Sequence, residues 1–427
     1  MRRAILILST VLALGLLGGS PAQASQPYPL NFHTFNLSGG TTQGLVRSGG
    51  SLSLAPGGLR TMSYTDPFAN INGDGVNGSG RYEYGSWTSP ELTLSFSYNE
   101  LVSSWDALTP VGTWVQSEVR PTFADGHQGK WYILGRWSSS DSDFHRTSVG
   151  GQGDADGFVA IDTFFAKDHP AVGYRLRLTL LRRAGSGLTP SVSRYSAVAS
   201  NLTNQKFSFP SATTMIGNTI QLKVPRFSQE THHGQYPQFD GGGEAWCSPT
   251  SSSMVVAYWD KLFPAAGYAP SPAELSWVDP AYSDPWVDFT ARNVFDYHYL
   301  GAGNWPFNTG YAASRGLVGD VTQLHNLAEA EPFIRAGIPL VASVAWKANK
   351  LDGAIKSTNG HLVVIVGFTG DGSKVIVNDP ASPTDADVTH YYDRAQFERA
   401  WIPASGGIVY VDRPAGWPTP SLTANNS

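Results

Sequence analysis

The sequence predicts a multidomain protein, with an N-terminal all-β sandwich of the jelly-roll kind followed by an α+β domain. Residues 27–200 alternate apolar and polar side chains with a period of two and show no long helical period. Residues 201–221 are rich in Ser, Thr and Asn and lack periodicity, which predicts a linker. Helix and strand patterns mix over residues 222–412, and three prolines among residues 413–427 predict a disordered tail. We therefore expect the two halves to fold separately.

The strand prediction for the first half depends on alternating runs. Apolar residues occupy every second position over residues 174–180, with Arg and Thr between them. Residues 113–120 and 157–165 alternate in the same way, so each run predicts a half-buried strand. Five tryptophans here could form a binding face for carbohydrate, cell-wall polymer or peptide, although core packing is the commoner role of tryptophan. They are Trp87, Trp105, Trp114, Trp131 and Trp137.

The second half contains both kinds of element. Its predicted helices are one that follows Cys247 and others over residues 286–297, 307–315 and 322–336. Its predicted strands cover residues 339–346, 361–368 and 374–378. A Thr-Gly-Asp-Gly turn at residues 369–372 joins the last two strands into a hairpin.

The first 24 residues resemble a secretory signal peptide. Arg2 and Arg3 precede an apolar run over residues 4–17, and Ala22-Gln23-Ala24 fits a signal-peptidase site. The apolar run is short for a membrane span, so we expect a secreted protein without an integral membrane segment. The formal net charge of −5 and the lack of a basic cluster argue against a nucleic-acid partner.

Cys247 is the only cysteine in the sequence and lies just before a predicted helix. A single thiol cannot form an intramolecular disulfide, so it is either an inert buried side chain or a reactive group. Pro249 suits a first helical turn, where its missing N–H costs nothing. The positive end of the helix dipole stabilises a thiolate, the nucleophilic form of sulfur. This position favours the reactive alternative.

The predicted hairpin supplies a base and an acid for that thiol. If the turn centres near residue 370, opposite residues have numbers that sum to about 740, and His361 is then opposite Asp379. Residues opposite each other share a face of the hairpin, so the carboxylate could accept the ring N–H of the histidine. A one-residue slip would separate them, and a bulge would place Asn378 there instead.

Four blocks containing these residues resemble the bacteriocin-processing (double-glycine leader) peptidase-like domains, which are papain-like cysteine peptidases. The blocks are VPRFSQ at 224–229, WCSPTS at 246–251, GHLVV at 360–364 and VNDP at 377–380. The resemblance covers about residues 222–411. It implies that Cys247 is the nucleophile, His361 the base and Asp379 the orienting carboxylate, while Gln229 donates to the oxyanion hole. It also implies a peptide or protein substrate and no cofactor.

The resemblance has limits. Transport-linked members of this family are fused to membrane-spanning export machinery, which this sequence lacks, so their leader-peptide specificity is not carried over. Residues 303–309 (GNWPFNT) look like a stretch of secreted actinobacterial relatives and could form a cleft wall. Two alternatives stay open: a peptidoglycan amidase or endopeptidase of the NlpC type, and a non-catalytic adhesin that binds peptide or cell-wall polymer.

Two patterns suggest metal sites only weakly. Residues 70–75 (NINGDG) match the start of a calcium loop, but its twelfth position is Arg81 rather than Glu. His232 and His233 have no nearby carboxylate or cysteine to complete a ligand set. We therefore expect no metal site.

Overall fold

The structure is a computed structural model that describes residues 28–202, 211, 214, 216–355 and 357–422. The predicted signal peptide and the greater part of the predicted linker lie outside the described residues, as do the last five residues of the predicted tail. No helix of the described ranges is both long enough and apolar enough to cross a membrane.

The described part of the first half contains fourteen strands and no α-helix. In chain order these strands are β1 (Leu30–Thr34), β2 (Thr41–Gln43), β3 (Leu45–Ser48), β4 (Ser51–Leu54), β5 (Arg60–Tyr64), β6 (Gly80–Thr88), β7 (Leu92–Tyr98), β8 (Glu100–Leu108), β9 (Thr113–Phe123), β10 (Tyr132–Trp137), β11 (Gly157–Ala160), β12 (Thr163–Ala166), β13 (Ala171–Arg183) and β14 (Ser191–Ser200).

These strands form two antiparallel sheets that pack against each other. One has the order β11-β12-β8-β14-β4-β3 with β1 also on β14, and the other has the order β10-β9-β13-β6-β2 with β5 on β6 and β7 on β13. Ser103 of the first sheet and Ser117 of the second are joined by a buried 2.8 Å hydrogen bond. The indole of Trp87 meets the ring of Tyr195 across the same gap, 6.1 Å between centroids. The predicted strands over residues 113–120 and 174–180 are confirmed as β9 and β13.

The single strand predicted over residues 157–165 is wrong. The structure has a hairpin there, with β11 and β12 joined by the two residues Ile161 and Asp162. Ile161 adopts a left-handed backbone conformation with φ of 58°, which is rare for a β-branched residue. Turns of this length usually carry Gly or Asn, so the sequence contains no signal for this one.

The second half contains five α-helices and seven strands in its described part. They are β15 (Ile220–Gln221), α1 (Cys247–Leu262), α2 (Pro285–Val294), α3 (Trp305–Ser314), β16 (Leu317–Gln323), α4 (Leu327–Arg335), β17 (Leu340–Trp346), β18 (Thr358–Phe368), β19 (Lys374–Asn378), β20 (Thr389–Asp393), α5 (Arg394–Ser405) and β21 (Ile408–Pro414). The strands form an antiparallel sheet in the order β16-β21-β17-β18-β19-β20, with β15 also on β18.

Several boundaries differ from the prediction, and three of the differences change how the second half packs. The helix predicted over residues 322–336 begins only at Leu327, because the side chain of Asn326 accepts a hydrogen bond from the N–H of Glu329 and caps it. The predicted linker ends in β15, which is part of the sheet. The tail is ordered as far as residue 422, since Trp417 packs on Trp259 with ring centroids 5.1 Å apart.

The two halves share one hydrophobic core instead of being separated by a linker. The ring of Phe307 in α3 packs against Trp137 at 5.3 Å and against Trp105 at 6.3 Å. Gly310 continues this contact, since a Cβ there would lie 3.3 Å from both indoles. Asp320 of β16 accepts a buried hydrogen bond from Ser196 of β14, 2.8 Å long. This interface argues against the expectation that the halves fold separately, because each half covers buried surface of the other.

The tryptophans of the first half act mainly as core. Trp87, Trp105, Trp114 and Trp137 are buried. The half-buried Trp131 lies under the guanidinium of Arg177, 4.3 Å from the ring centroid. Core packing is therefore confirmed for four of the five.

Candidate active site

The N-terminus of α1 presents Cys247. The helix begins at this residue, and Pro249 falls in its first turn as predicted. The indole of the preceding Trp246 is fully buried and donates a 2.6 Å hydrogen bond to the carbonyl of Phe239, which anchors the loop. Cys247 itself is half-buried and is a free thiol. The sulfur is thus held at a helix N-terminus while remaining accessible.

A hydrogen bond between α1 and β18 sets the position of this thiol relative to His361. Ser251 lies one helical turn after Cys247, and its hydroxyl donates a 3.1 Å hydrogen bond to the carbonyl of Leu362. Leu362 directly follows His361 in the strand. The helix and the strand are therefore fixed with the thiol and the imidazole side by side.

His361 and Asp379 form a buried pair. The ring Nε2 of His361 lies 2.7 Å from Oδ1 of Asp379, and both residues are almost inaccessible to solvent. The other carboxylate oxygen of Asp379 accepts a 2.8 Å hydrogen bond from the hydroxyl of Tyr392. The backbone N–H of Ala381 donates to Oδ1 at 3.0 Å. With Nε2 engaged, the imidazole has Nδ1 left, and His361 and Cys247 line the same cleft.

The predicted hairpin register is wrong by two residues, yet the predicted contact forms. Val364 is opposite Asn378, so paired numbers sum to 742 near the site, and a bulge follows between Ile365 and Gly367. Continued to the site, this register makes Asp379 a diagonal neighbour of His361 instead of its direct partner. An error of two residues keeps every side chain on its predicted face, because the alternation has a period of two.

Asn378 lies on the opposite face of β19 from Asp379. Its buried amide accepts a 2.9 Å hydrogen bond from the hydroxyl of Thr389 and donates to the carbonyl of Pro225 at 3.3 Å. The structure therefore pairs His361 with the aspartate and not with the asparagine.

The electrostatics of the pair favour a charged imidazole. Burial lowers the pKa of His361, but the charge and hydrogen bond of Asp379, together with the contact to Cys247, outweigh this and raise the pKa to about 10. Burial likewise raises the pKa of Asp379, while His361 and the hydroxyl of Tyr392 reverse the effect and hold it below its usual value. An imidazolium beside a thiol can stabilise a thiolate and later donate a proton.

Gln229 lies close to the loop that precedes Cys247. Its Nε2 donates a 2.7 Å hydrogen bond to the carbonyl of Glu244 and a 3.2 Å one to the carboxylate of Glu230. A Cβ at Gly243 would lie 2.4 Å from the backbone oxygen of Gln229, so this close approach requires glycine. The backbone N–H of Gln229 donates to the carbonyl of Pro380 at 2.9 Å. The four predicted blocks therefore converge, although the donors of the Gln229 side chain are engaged with other groups.

Residues from both halves line the cleft that contains Cys247 and His361. It has a volume of about 400 Å³. Gly303 and Trp305 form part of the wall, as the sequence predicted. The first half contributes the β11–β12 hairpin to the wall, through Ala160, Ile161, Asp162, Thr163 and Phe165. Sequence reasoning missed this hairpin and Tyr392, because neither carries a motif and both reach the site only through tertiary packing.

Other clusters of titratable side chains have partners of their own. His232 is buried, with its Nδ1 3.0 Å from Oε1 of Gln235 and 3.2 Å from Oδ2 of Asp288. In the weak calcium-loop match, Asp74 instead lies 2.9 Å from the ring of His145. Within the described ranges, no three or more His, Cys, Asp or Glu side chains are placed to hold a metal ion.

Two models of known protein families together match nearly the whole described chain. Residues 31–200 match the family described as Peptidase C39 N-terminal domain, and residues 221–409 match the Peptidase C39 like family. No curated protein matches the sequence.

Three solved structures show weaker likeness. A candidate C39-like peptidase from Bacillus anthracis has 18% identity and a TM-score of 0.26, covering 45% of this chain and 97% of its own. The CBM22-1–GH10 modules of xylanase 10B from Clostridium thermocellum have 10% identity and a TM-score of 0.19, over 46% and 33% of the two chains. A structure of infectious bursal disease virus has 13% identity and a TM-score of 0.17, over 45% and 37%. The relation of this chain to C39 peptidases therefore rests on the two family matches.

Proposed function

The second half of the chain belongs to the Peptidase C39 like family, and from this premise we propose that the protein is a cysteine peptidase that hydrolyses peptide bonds. One observation supports the proposal most strongly. His361 makes a hydrogen bond to the buried Asp379 and lines a cleft open to solvent together with Cys247, the only cysteine in the sequence. A structural thiol needs neither a polarised base nor access to solvent.

The reaction would proceed through a thioester. The thiol of Cys247 passes its proton to His361, and its Sγ attacks the substrate carbonyl carbon. His361 then donates that proton to the nitrogen of the leaving amine as the C–N bond breaks. Water next attacks the thioester carbonyl and loses a proton to His361; the C–S bond breaks to release the acid, and His361 returns the proton to Sγ. Asp379 holds the ring and stabilises its charged form.

The oxyanion formed at the substrate carbonyl needs donors. The backbone N–H of Cys247 lies in the first turn of α1, where helices provide no internal acceptor, and is the first candidate. Gln229 is the second, since it already contacts Glu244, three residues before the nucleophile. Its hydrogen bond to the half-buried Glu230 would have to break when substrate binds.

The same proposal includes the fold of each half and secretion of the protein. Packing of α1 against an antiparallel sheet that carries the histidine and the aspartate supports a papain-like domain. The two packed sheets of the first half support a β-sandwich. The β11–β12 hairpin of this sandwich lines the cleft, so the first half is part of the catalytic unit. The signal-like residues 1–24 support secretion.

The test is hydrolysis by the mature full-length chain. A peptide library and purified peptidoglycan are incubated with the wild-type protein and with Cys247→Ala, and the products are identified by mass spectrometry. We expect cleavage of peptides by the wild type alone. Products from peptidoglycan only would favour an NlpC-type amidase. No products, together with a thiol that resists iodoacetamide below pH 8, would favour the non-catalytic adhesin.

A further inference from the structure

A second pocket adjoins the catalytic cleft on the side of His361. Its volume is about 460 Å³, and it shares Ala345, Asn359 and Ala404 with the cleft. The remaining wall is formed mainly by Trp346, Lys347, Lys350, Thr358 and Arg399. Trp346, Thr358 and Arg399 come from β17, the start of β18 and α5, whereas Lys347 and Lys350 lie in the loop that joins β17 to β18.

The pocket is strongly positive. Lys347, Lys350 and Arg399 are exposed, and none of them forms an ion pair with any residue that the structure describes. No Asp or Glu contributes to its described lining. Asp352 lies near in sequence but accepts a 2.8 Å hydrogen bond from Gln396 and does not line the pocket. Three cations without an internal counterion form a site for an anionic group.

The wall of the pocket has a defined shape. Trp346 is buried, and its indole N–H donates a 2.8 Å hydrogen bond to the carbonyl of Ile355. The same indole packs edge-on against the ring of His361, with centroids 5.8 Å apart. Lys347 donates to the side chain of Asn359 at 2.9 Å. The pocket wall therefore contacts the catalytic imidazole through Trp346, and Lys347 is held by a residue that the pocket shares with the cleft.

The chemistry of peptide hydrolysis decides which part of a substrate would enter this pocket. His361 delivers its proton to the leaving amine, so the segment after the scissile bond must leave past the imidazole. The pocket lies on that side. By contrast, Asp162 and Asp240 line the cleft but not the pocket.

We propose that this pocket binds a carboxylate of the substrate segment that follows the scissile bond. The group would be the side chain of an Asp or Glu within the first three residues, since an extended peptide advances about 3.3 Å per residue. The proposal rests on the proposed function, because it assigns a leaving-group side to the cleft. It makes the protein selective for acidic residues immediately after the cleaved bond.

Matched substrates test this selectivity. Peptides that carry Asp or Asn at each of the three positions are compared by kcat/KM, using the wild type, the double variant Lys350→Gln/Arg399→Gln and the control Lys374→Gln on β19. At one position or more we expect the Asp peptide to be favoured about 3- to 10-fold at low salt, with a smaller ratio at high salt. The double variant should bring the ratio close to one, whereas Lys374→Gln should preserve it. A wild-type ratio of one at all three positions, or a ratio that survives the double variant, would overturn the proposal.

Binding separates this proposal from the proposed function. If the wild type cleaves no peptide, the same fluorescently labelled peptide pairs are titrated with Cys247→Ala protein and followed by anisotropy. Tighter binding of the acidic member, lost in the background of Lys350→Gln/Arg399→Gln, would support the pocket even without catalysis. Equal affinities for both members of each pair would refute it.

Discussion

The carboxylate of Asp162, at the tip of the β11–β12 hairpin, accepts a 2.7 Å hydrogen bond from the backbone N–H of Trp305, the first residue of α3. Asp162 is buried, and this burial raises its pKa to about 6 although the N–H of Trp305 opposes the effect. The bond ties a hairpin of the first half to a helix of the second half directly beside Cys247. Residues of both halves therefore form the cleft.

A chain that begins at residue 215 should be poorly soluble and should have little or no peptidase activity. Removing the first half would expose Phe307, Gly310 and the buried Asp320, which are covered by the tryptophans and the serine of the first half. Solubility, thermal unfolding and kcat/KM are measured for this fragment and for full-length protein. Co-expression of residues 25–214 as a separate chain should restore activity. A soluble and fully active fragment would contradict the shared core.

Ile161→Gly should lower activity on long peptides several-fold while leaving stability nearly unchanged. Relief of the left-handed backbone conformation and the greater freedom of glycine in the unfolded chain oppose each other, so we expect a net change below about 1 kcal/mol. The loss of activity would come from the missing contact, since the side chain is 37% exposed in the cleft. Kinetics and denaturant unfolding are compared. The rate of alkylation of Cys247 by iodoacetamide is the control and should not change.

Cys247→Ala should reduce hydrolysis below about 1% of the wild-type rate with little shift in the thermal midpoint. The half-buried thiol contributes little packing, whereas the thioester route has no other nucleophile. Peptide cleavage and calorimetry provide the two measurements. Residual activity well above this level would place the nucleophile elsewhere.

Asp379→Ala should mainly reduce the catalytic rate, whereas Asn378→Ala should mainly reduce stability. The aspartate variant should lower kcat by roughly 10- to 10⁴-fold, because the imidazole loses the group that orients it and stabilises its charge. The asparagine variant should mainly lower the free energy of unfolding, by about 1–3 kcal/mol, since it leaves the partner Thr389 unpaired. Tyr392→Phe is an intermediate control, with a smaller loss of rate. The assignment fails if Asn378→Ala is the catalytically crippled variant.

Activity and stability should both depend on pH through His361. Because its pKa is raised from 6.5 to about 10, the imidazolium contributes stability that is complete below pH 6.5 and is lost as the pH rises to 10. The difference in free energy of unfolding between wild type and His361→Gln should therefore shrink over this interval. The alkaline limb of kcat/KM should lie near pH 10 and move toward neutral pH in Asp379→Asn. A wild-type limb near pH 6.5 would mean that the aspartate does not stabilise the charge.

The sequence alone determined much of the candidate active site. The lone cysteine at a helix start and the facing of His361 and Asp379 follow from local rules, since capping and the period of strands act over a few residues. The prediction that His361 and Asp379 share a face is correct despite the register error, because a shift of two residues preserves the alternation of side chains. By the same logic, four of the five helices and three of the seven strands described in the second half could be located.

Only the tertiary structure decided how the halves meet. The β11–β12 hairpin, the shared core around Phe307 and the hydroxyl of Tyr392 on Asp379 all join residues far apart in sequence. Their contacts depend on shape and burial rather than on a local pattern, so the predicted linker and the tail after residue 412 looked independent when they were not. Local rules fix which face a side chain occupies, but long-range packing fixes what that face meets.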